Sequence, residues 1–163
     1  MSDVAVSVEG GVACIAFGDT LVTLWREPPS VARWVWHVAQ LERVAIAHGQ
    51  AVVSFHLILP SSTPDSGTRA RMQADLKRMG HKLRRLVVVP LGNSLWMNLV
   101  RPLVRTVLLL SGQSNRLAVV DSVSLALEQV RAAASAATPT ASELRAGIAA
   151  LCTALNVEQS AAA

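Results

Sequence analysis

Charge is scarce in this chain: only 16% of its 163 residues are Asp, Glu, Lys or Arg, against 52% hydrophobic. That balance, with a mean hydropathy of +0.40, excludes global disorder, since such a chain buries enough apolar surface to outweigh the entropy of ordering. Cysteine is scarcer still. Cys14 and Cys152 are the only two, and a pair so far apart in the sequence forms neither a disulfide framework nor a zinc ligand set. Each lies among apolar neighbours and reads as a buried free thiol, which fits a reducing cytoplasm. Met1-Ser2-Asp3 has no basic region leading into an apolar stretch, so no secretory signal is expected. The length favours one domain, an α/β unit over 1–137, followed by a linker, a short amphipathic helix and a frayed tail over 138–163.

Catalytic signatures are missing as well. There is no Gly-x-Ser-x-Gly elbow, no P-loop and no Gly-x-Gly-x-x-Gly after a strand. Among His37, His48, His56 and His81 no pair has ligand spacing with a carboxylate, so satisfied or solvated histidines are expected, with no metal and no cofactor. The acids are scattered without a convincing acid and base pair. What remains is a fold and a class of role, a non-catalytic one, rather than a named reaction.

Patterning is plentiful. Val4, Val6 and Val8 alternate, Gly10-Gly11 makes a turn, and residues 12–17 form a second β-rich run, which together predict a hairpin. A third strand is predicted over 21–25, ended by Pro28-Pro29. Ser30 then caps a helix over 31–48 that stops at Gly49, with Val31, Trp34, Val35, Val38, Leu41 and Ala45 on its inner face. Residues 51–59, AVVSFHLIL, are almost continuously apolar, as expected of a central parallel strand covered on both faces. Val52, Phe55 and Leu57 there, with Val87 and Val89 of a strand over 86–90, are the expected core. A loop of turn formers over 60–67 leads into a basic helix over 68–82. Asn93-Ser94 caps an apolar helix over 95–110 that Pro102 is expected to bend. A strand over 117–120 and a helix over 122–137 complete the order hairpin, α, β, α, β, α, β, α. That alternation predicts an α/β fold with a mixed sheet and helical cover. After Thr138-Pro139-Thr140 a short amphipathic segment carries Leu144, Ile148, Leu151 and Leu155. It is too short to be stable alone, so it docks on the core or on a partner.

Residues 66–105 hold nine of the fifteen Lys and Arg but only one of the eleven acids, Asp75, a net of +8 against −4 for the remainder. Such a field attracts anionic partners without fixing their identity. The helix over 68–82 lacks interleaved aromatics and spreads its bases over several faces, so specific nucleic-acid recognition is not expected. The helix over 95–110 holds Arg101 and Arg105 and is too short to span a bilayer, which leaves peripheral membrane contact open. Its apolar arc is wider than one sheet face needs. Leu95, Trp96, Leu99 and Leu103 form a candidate apolar surface that the C-terminal segment or a second subunit covers, or that lines a pocket for an apolar ligand. On the helix over 31–48, Trp34 and Trp36 cannot both face the sheet. With Trp34 inward, Trp36 stands on the polar side beside Arg33, Gln40 and Arg43, the composition of an interface anchor for a protein partner, a second copy in a homodimer included.

Over about residues 4–136 this element order resembles the STAS domain, the SpoIIAA-like fold of bacterial anti-sigma factor antagonists. In that family an apolar strand leads through a short loop to Asp-Ser-Ser-Gly at a helix start, and the serine before the glycine can be phosphorylated by a partner kinase. Here AVVSFHLIL leads through PSSTP to Asp65-Ser66-Gly67, one residue short of the motif and preceded by Pro64. The resemblance implies a regulatory or protein-interaction module in which Ser66 is the phosphoacceptor, with Arg69 near enough to meet the phosphate. For the motif, the alternative is a plain helix cap by Asp65 or Ser66. For the chain, it is a carrier or sensor that holds a lipid-like molecule between helices and sheet.

Overall fold

The computed structural model describes residues 5–133, 135 and 139–158, and its six strands form one sheet in the order in which they occur in the chain. β1 (Ser7–Glu9), β2 (Val12–Phe17) and β3 (Thr20–Trp25) are an antiparallel meander. Gly10 and Gly18 make its two tight connections at φ 56° and 53°, in the left-handed region that a side chain disfavours. From β3 onward every strand is added in parallel: β4 (Val52–Ile58), β5 (Leu83–Pro90) and β6 (Leu117–Val119). A helix makes each crossover, α1 (Val31–His48), α2 (Ser66–Met79) and α3 (Ser94–Leu110), and α4 (Val123–Ala132) and α5 (Ala141–Ala154) follow β6. The architecture is α/β, a mixed sheet that opens on a hairpin and carries helices on both sides. The expectations for Val4, Thr138 and the tail beyond 158 fall outside the described residues.

Alternation along the strands divides the core in two. On the front face Cys14, Leu21, Trp25, Val52, Leu86 and Val88 meet α1, α2 and α3. On the back Ile15, Val22, Leu24, Phe55, Leu57, Val87 and Val89 meet α4 and α5. Val52, Phe55, Leu57, Val87 and Val89 are all fully buried, because β4 and β5 lie between parallel neighbours and under helices on both sides.

Local chemistry explains the ends of the elements. Ser30, Asp65, Asn93, Ser122 and Thr140 each accept a hydrogen bond from a backbone N–H in the first turn of the helix they cap. Gly49 ends α1 at φ 62°. Several expectations need correction. The buried side of α1 is Trp34, His37, Val38, Leu41, Val44 and Ala45. Val31 and Val35 are exposed, standing roughly 80° and 120° from the centre of that stripe at 3.6 residues per turn. α2 begins at Ser66 and its last turn, 80–82, tightens to a 3-10 helix, while β5 starts three residues early at Leu83. α4 ends at Ala132.

The C-terminal helix joins the back core. Leu144, Ile148, Leu151 and Leu155 are buried there beside β2 and β3, and Gly147 allows close approach, since a Cβ at that position would stand 2.5 Å from the Phe17 ring. This placement overturns the expectation that the C-terminal segment covers the wide apolar arc of α3, which lies on the opposite side of the sheet.

Candidate functional site

The front core holds polar groups that the strand pattern alone does not explain. Thr23, Ser54 and His56 point from the sheet and His37 points from α1, all buried. Trp25 Nε1 donates to His56 Nδ1 at 3.0 Å. An indole nitrogen only donates, so His56 Nδ1 is the acceptor and the imidazole proton sits on Nε2. Nε2 in turn donates to Ser54 Oγ at 2.8 Å. Both nitrogens of His56 are therefore engaged in the neutral ring. His37 Nδ1 lies 3.3 Å from Thr23 Oγ1, and the two imidazoles meet edge to face at 4.8 Å. Trp25 lies parallel to His56 at 6.3 Å and close to parallel with Trp34 at 6.4 Å. Burial lowers the His56 pKa to about 4. Burial first, and the neighbouring His56 second, hold His37 well below its ordinary value. Both rings are neutral at pH 7.

Beside this cluster lies a cavity of about 90 Å³ between the sheet and α1, α2 and α3. Trp25, His56 and Val88 from the strands, Trp34 from α1, Met72 and Leu76 from α2, and Trp96, Val100, Leu103 and Val107 from α3 line it. The loop 61–64 contributes to the rim, with Ser62 and Thr63 exposed. Among the described residues no Lys, Arg, Asp or Glu lies in the wall. Among the described residues, five buried side-chain polar atoms lack a hydrogen-bond partner, and two of them, Trp34 Nε1 and Trp96 Nε1, belong to rings of this wall.

The candidate apolar surface on α3 divides. Leu95 and Leu99 face outward, 79% and 57% exposed, whereas Trp96 is buried and Leu103 half-buried in the cavity wall. Ser66 is exposed as the first residue of α2, and the cap is Asp65, whose carboxylate accepts from the Thr68 N–H at 2.7 Å. Arg69 folds back onto the Pro64 carbonyl at 2.7 Å. On α1, Trp36 is half-buried against the edge of the front core rather than standing clear in solvent. Arg33 is half-buried and donates to the Pro28 carbonyl, while Arg43 is exposed.

The basic stretch is partly compensated. Buried Asp75 accepts from Arg71 at 2.7 Å and from Arg78 at 3.5 Å, and Glu42 of α1 pairs with Arg78 and Lys82. Cys14 and Cys152 are both buried free thiols, the first pushed up to about 12 by burial. Among the described residues no helix is long and apolar enough to cross a membrane.

Sequence reasoning missed the meeting of Trp25, Trp34, His37, His56 and Trp96, which come from four elements. The available signal was the set of tryptophans and histidines at inward positions of otherwise apolar elements. No family model, curated protein or solved structure matches this chain.

Proposed function

We propose that this protein is a non-catalytic binding module, a carrier or sensor, that takes an apolar small molecule into the cavity between the sheet and α1–α3. The observation that carries this reading is a mostly apolar wall built from three tryptophans and α3, without Lys, Arg, Asp or Glu among the described residues and with the loop 61–64 in its lining. An enclosed apolar cavity of about 150 Å³ takes up benzene, and the space here, about 90 Å³, is suited to a body no larger than one small ring. Engagement of both His56 nitrogens within the core supports a binding role over a catalytic one, because the imidazole nearest the cavity has no free nitrogen to act as a base. Titration with benzene, followed by backbone amide NMR, tests the proposal. Saturable shifts confined to cavity-lining residues, abolished by Val104→Phe, which enlarges another α3 side chain of the wall, are expected. Shifts that never saturate, or that Val104→Phe leaves unchanged, overturn it.

A second reading, the STAS-like regulatory module, is supported by the exposure of Ser66 on the first turn of α2, next to the loop at the cavity rim. Phosphopeptide mapping of the protein from its native cells tests that reading. Modification at Ser66 is the expected result, and an unmodified Ser66 in every growth condition removes it.

A further inference from the structure

A helix that covers a sheet turns polar residues outward as a rule, and α3 does not. Leu95 and Leu99 are 79% and 57% exposed, and Leu109 and Leu110 are 64% and 65% exposed. Together with exposed Pro102 and Thr106 they fall within about 100° of arc at 3.6 residues per turn and run along about 22 Å of the helix. The four leucines are not part of the cavity wall.

Charge on this side of the molecule has one sign. α2 and α3 together hold six bases, Arg69, Arg71, Lys77, Arg78, Arg101 and Arg105, and a single acid, Asp75, which is buried. Arg71 and Arg78 meet Asp75, and Arg101 meets Asp121. Lys77 and Arg105 are exposed and have no carboxylate partner among the described residues. Arg105 borders the leucine arc, about 40° from Leu109. Lys77 points outward from the neighbouring α2, about 160° round the helix from buried Asp75 and Met79.

We infer that this side of α2 and α3 docks on an anionic phospholipid surface, with the α3 leucines entering the boundary between headgroups and acyl chains and Lys77 and Arg105 meeting the phosphates. An apolar arc bordered by bases is the pattern of a helix that lies in a membrane interface, and anionic headgroups supply the sign that the two helices lack. A second copy fits less well, because a two-fold contact through this face sets the same bases against one another. Nucleic acid would meet the bases and leave the leucines in water. The inference is independent of the cavity reading, since its leucines and bases lie outside the wall.

Flotation of the intact protein tests it, with vesicles of phosphatidylcholine alone and of phosphatidylcholine mixed with phosphatidylglycerol. The mixed vesicles are expected to bind roughly tenfold tighter at low salt, and the difference to shrink at high salt. Leu95→Ser combined with Leu99→Ser should weaken binding to the mixed vesicles about tenfold. Lys77→Gln combined with Arg105→Gln should weaken it by about as much and narrow the gap between the two vesicle types. Leu125→Ser, on α4 at the back of the sheet, should change nothing. All five side chains are exposed, so the variants keep the fold. Equal binding to both vesicle types, flotation with neither, or full binding by the leucine pair overturns the inference. Polyglutamate bound as tightly as the mixed vesicles overturns it in favour of an acidic protein, and a dimer in sedimentation that the leucine pair dissolves overturns it in favour of a second copy.

Discussion

Trp25 and His56 stand on adjacent parallel strands, and the indole N–H of the first fixes the tautomer of the second. Burial holds that imidazole in its neutral state, and this gives stability a definite dependence on pH. The folded pKa of His56, about 4, lies below the ordinary 6.5, and that of His37 is shifted the same way. Between these limits the unfolded chain binds more protons than the folded one, so stability is fully present above pH 6.5 and falls as pH drops toward 4. The slope is about 1.4 kcal/mol per pH unit for each histidine. Urea unfolding at pH 7, 6 and 5 checks this in a window where carboxylates stay largely ionised. A flat profile there would contradict the neutral buried pair.

Asp19, fully buried, accepts from Arg84 Nη1 at 2.7 Å and from Ser135 Oγ at 2.5 Å, which ties the β2–β3 turn to β5 and to the segment after α4. Arg84→Met takes that guanidinium away from the buried carboxylate, so a loss of about 3 kcal/mol is expected. Asp19→Asn combined with Arg84→Met should recover part of it. Chemical denaturation of the three proteins decides, and a single-variant loss below about 0.5 kcal/mol would show that this ion pair does not hold the turn.

Asp65 and Ser66 separate cleanly by substitution. The Asp65 carboxylate is held below its ordinary value chiefly by the Thr68 backbone N–H, so its cap is present above the unfolded carboxylate pKa and disappears as pH falls through the folded one. Asp65→Ala is expected to lower the thermal midpoint at pH 7 and to match the parent at a pH where Asp65 is protonated. Ser66→Ala should leave the midpoint unchanged at both. A drop in Ser66→Ala equal to that in Asp65→Ala would move the cap to the serine.

Gly147→Ala tests the approach of α5 to β2. In an isolated helix the change is favourable by about 1 kcal/mol, but the new Cβ would stand 2.5 Å from Phe17 Cε2 and 2.7 Å from Cζ, and overpacking costs about 1–3 kcal/mol. A net loss is expected. In a Phe17→Leu background the same substitution should become stabilising. Thermal melts of the four proteins read the sign change, and its absence would show that the ring yields without cost.

Much of the fold was legible because its signals are local. The apolar run AVVSFHLIL, the Ser30 cap and Gly49 stop of α1, and the alternation of strands with helices each depend on near neighbours in sequence, and each matches the architecture. The helix phase of α1 was less legible. Val31 and Val35 satisfy a spacing of three and four, yet the sheet beneath α1 selects a stripe centred elsewhere, with His37 inside it. The site was least legible of all. Trp25, Trp34, His56 and Trp96 gather only once the crossovers have stacked α1 and α3 on one face, a relation between distant segments that no local spacing encodes. The wide apolar arc of α3 left a pocket as one reading beside cover by the C-terminal segment or a second subunit, and it could not say which rings would line it.

The sequential order of the sheet gives its two faces different histories during synthesis. α1, α2 and α3 alternate with the strands they cover, so each newly made parallel strand emerges with its front cover already at hand. The back has no such supply. Ile15, Leu24, Phe55, Leu57 and Val89 wait for α4 and α5, which are translated after every strand of the sheet. A chain cut at Ser122 would therefore leave the whole back face of the sheet without its helical cover, the kind of exposed apolar surface that makes incomplete chains prone to aggregate.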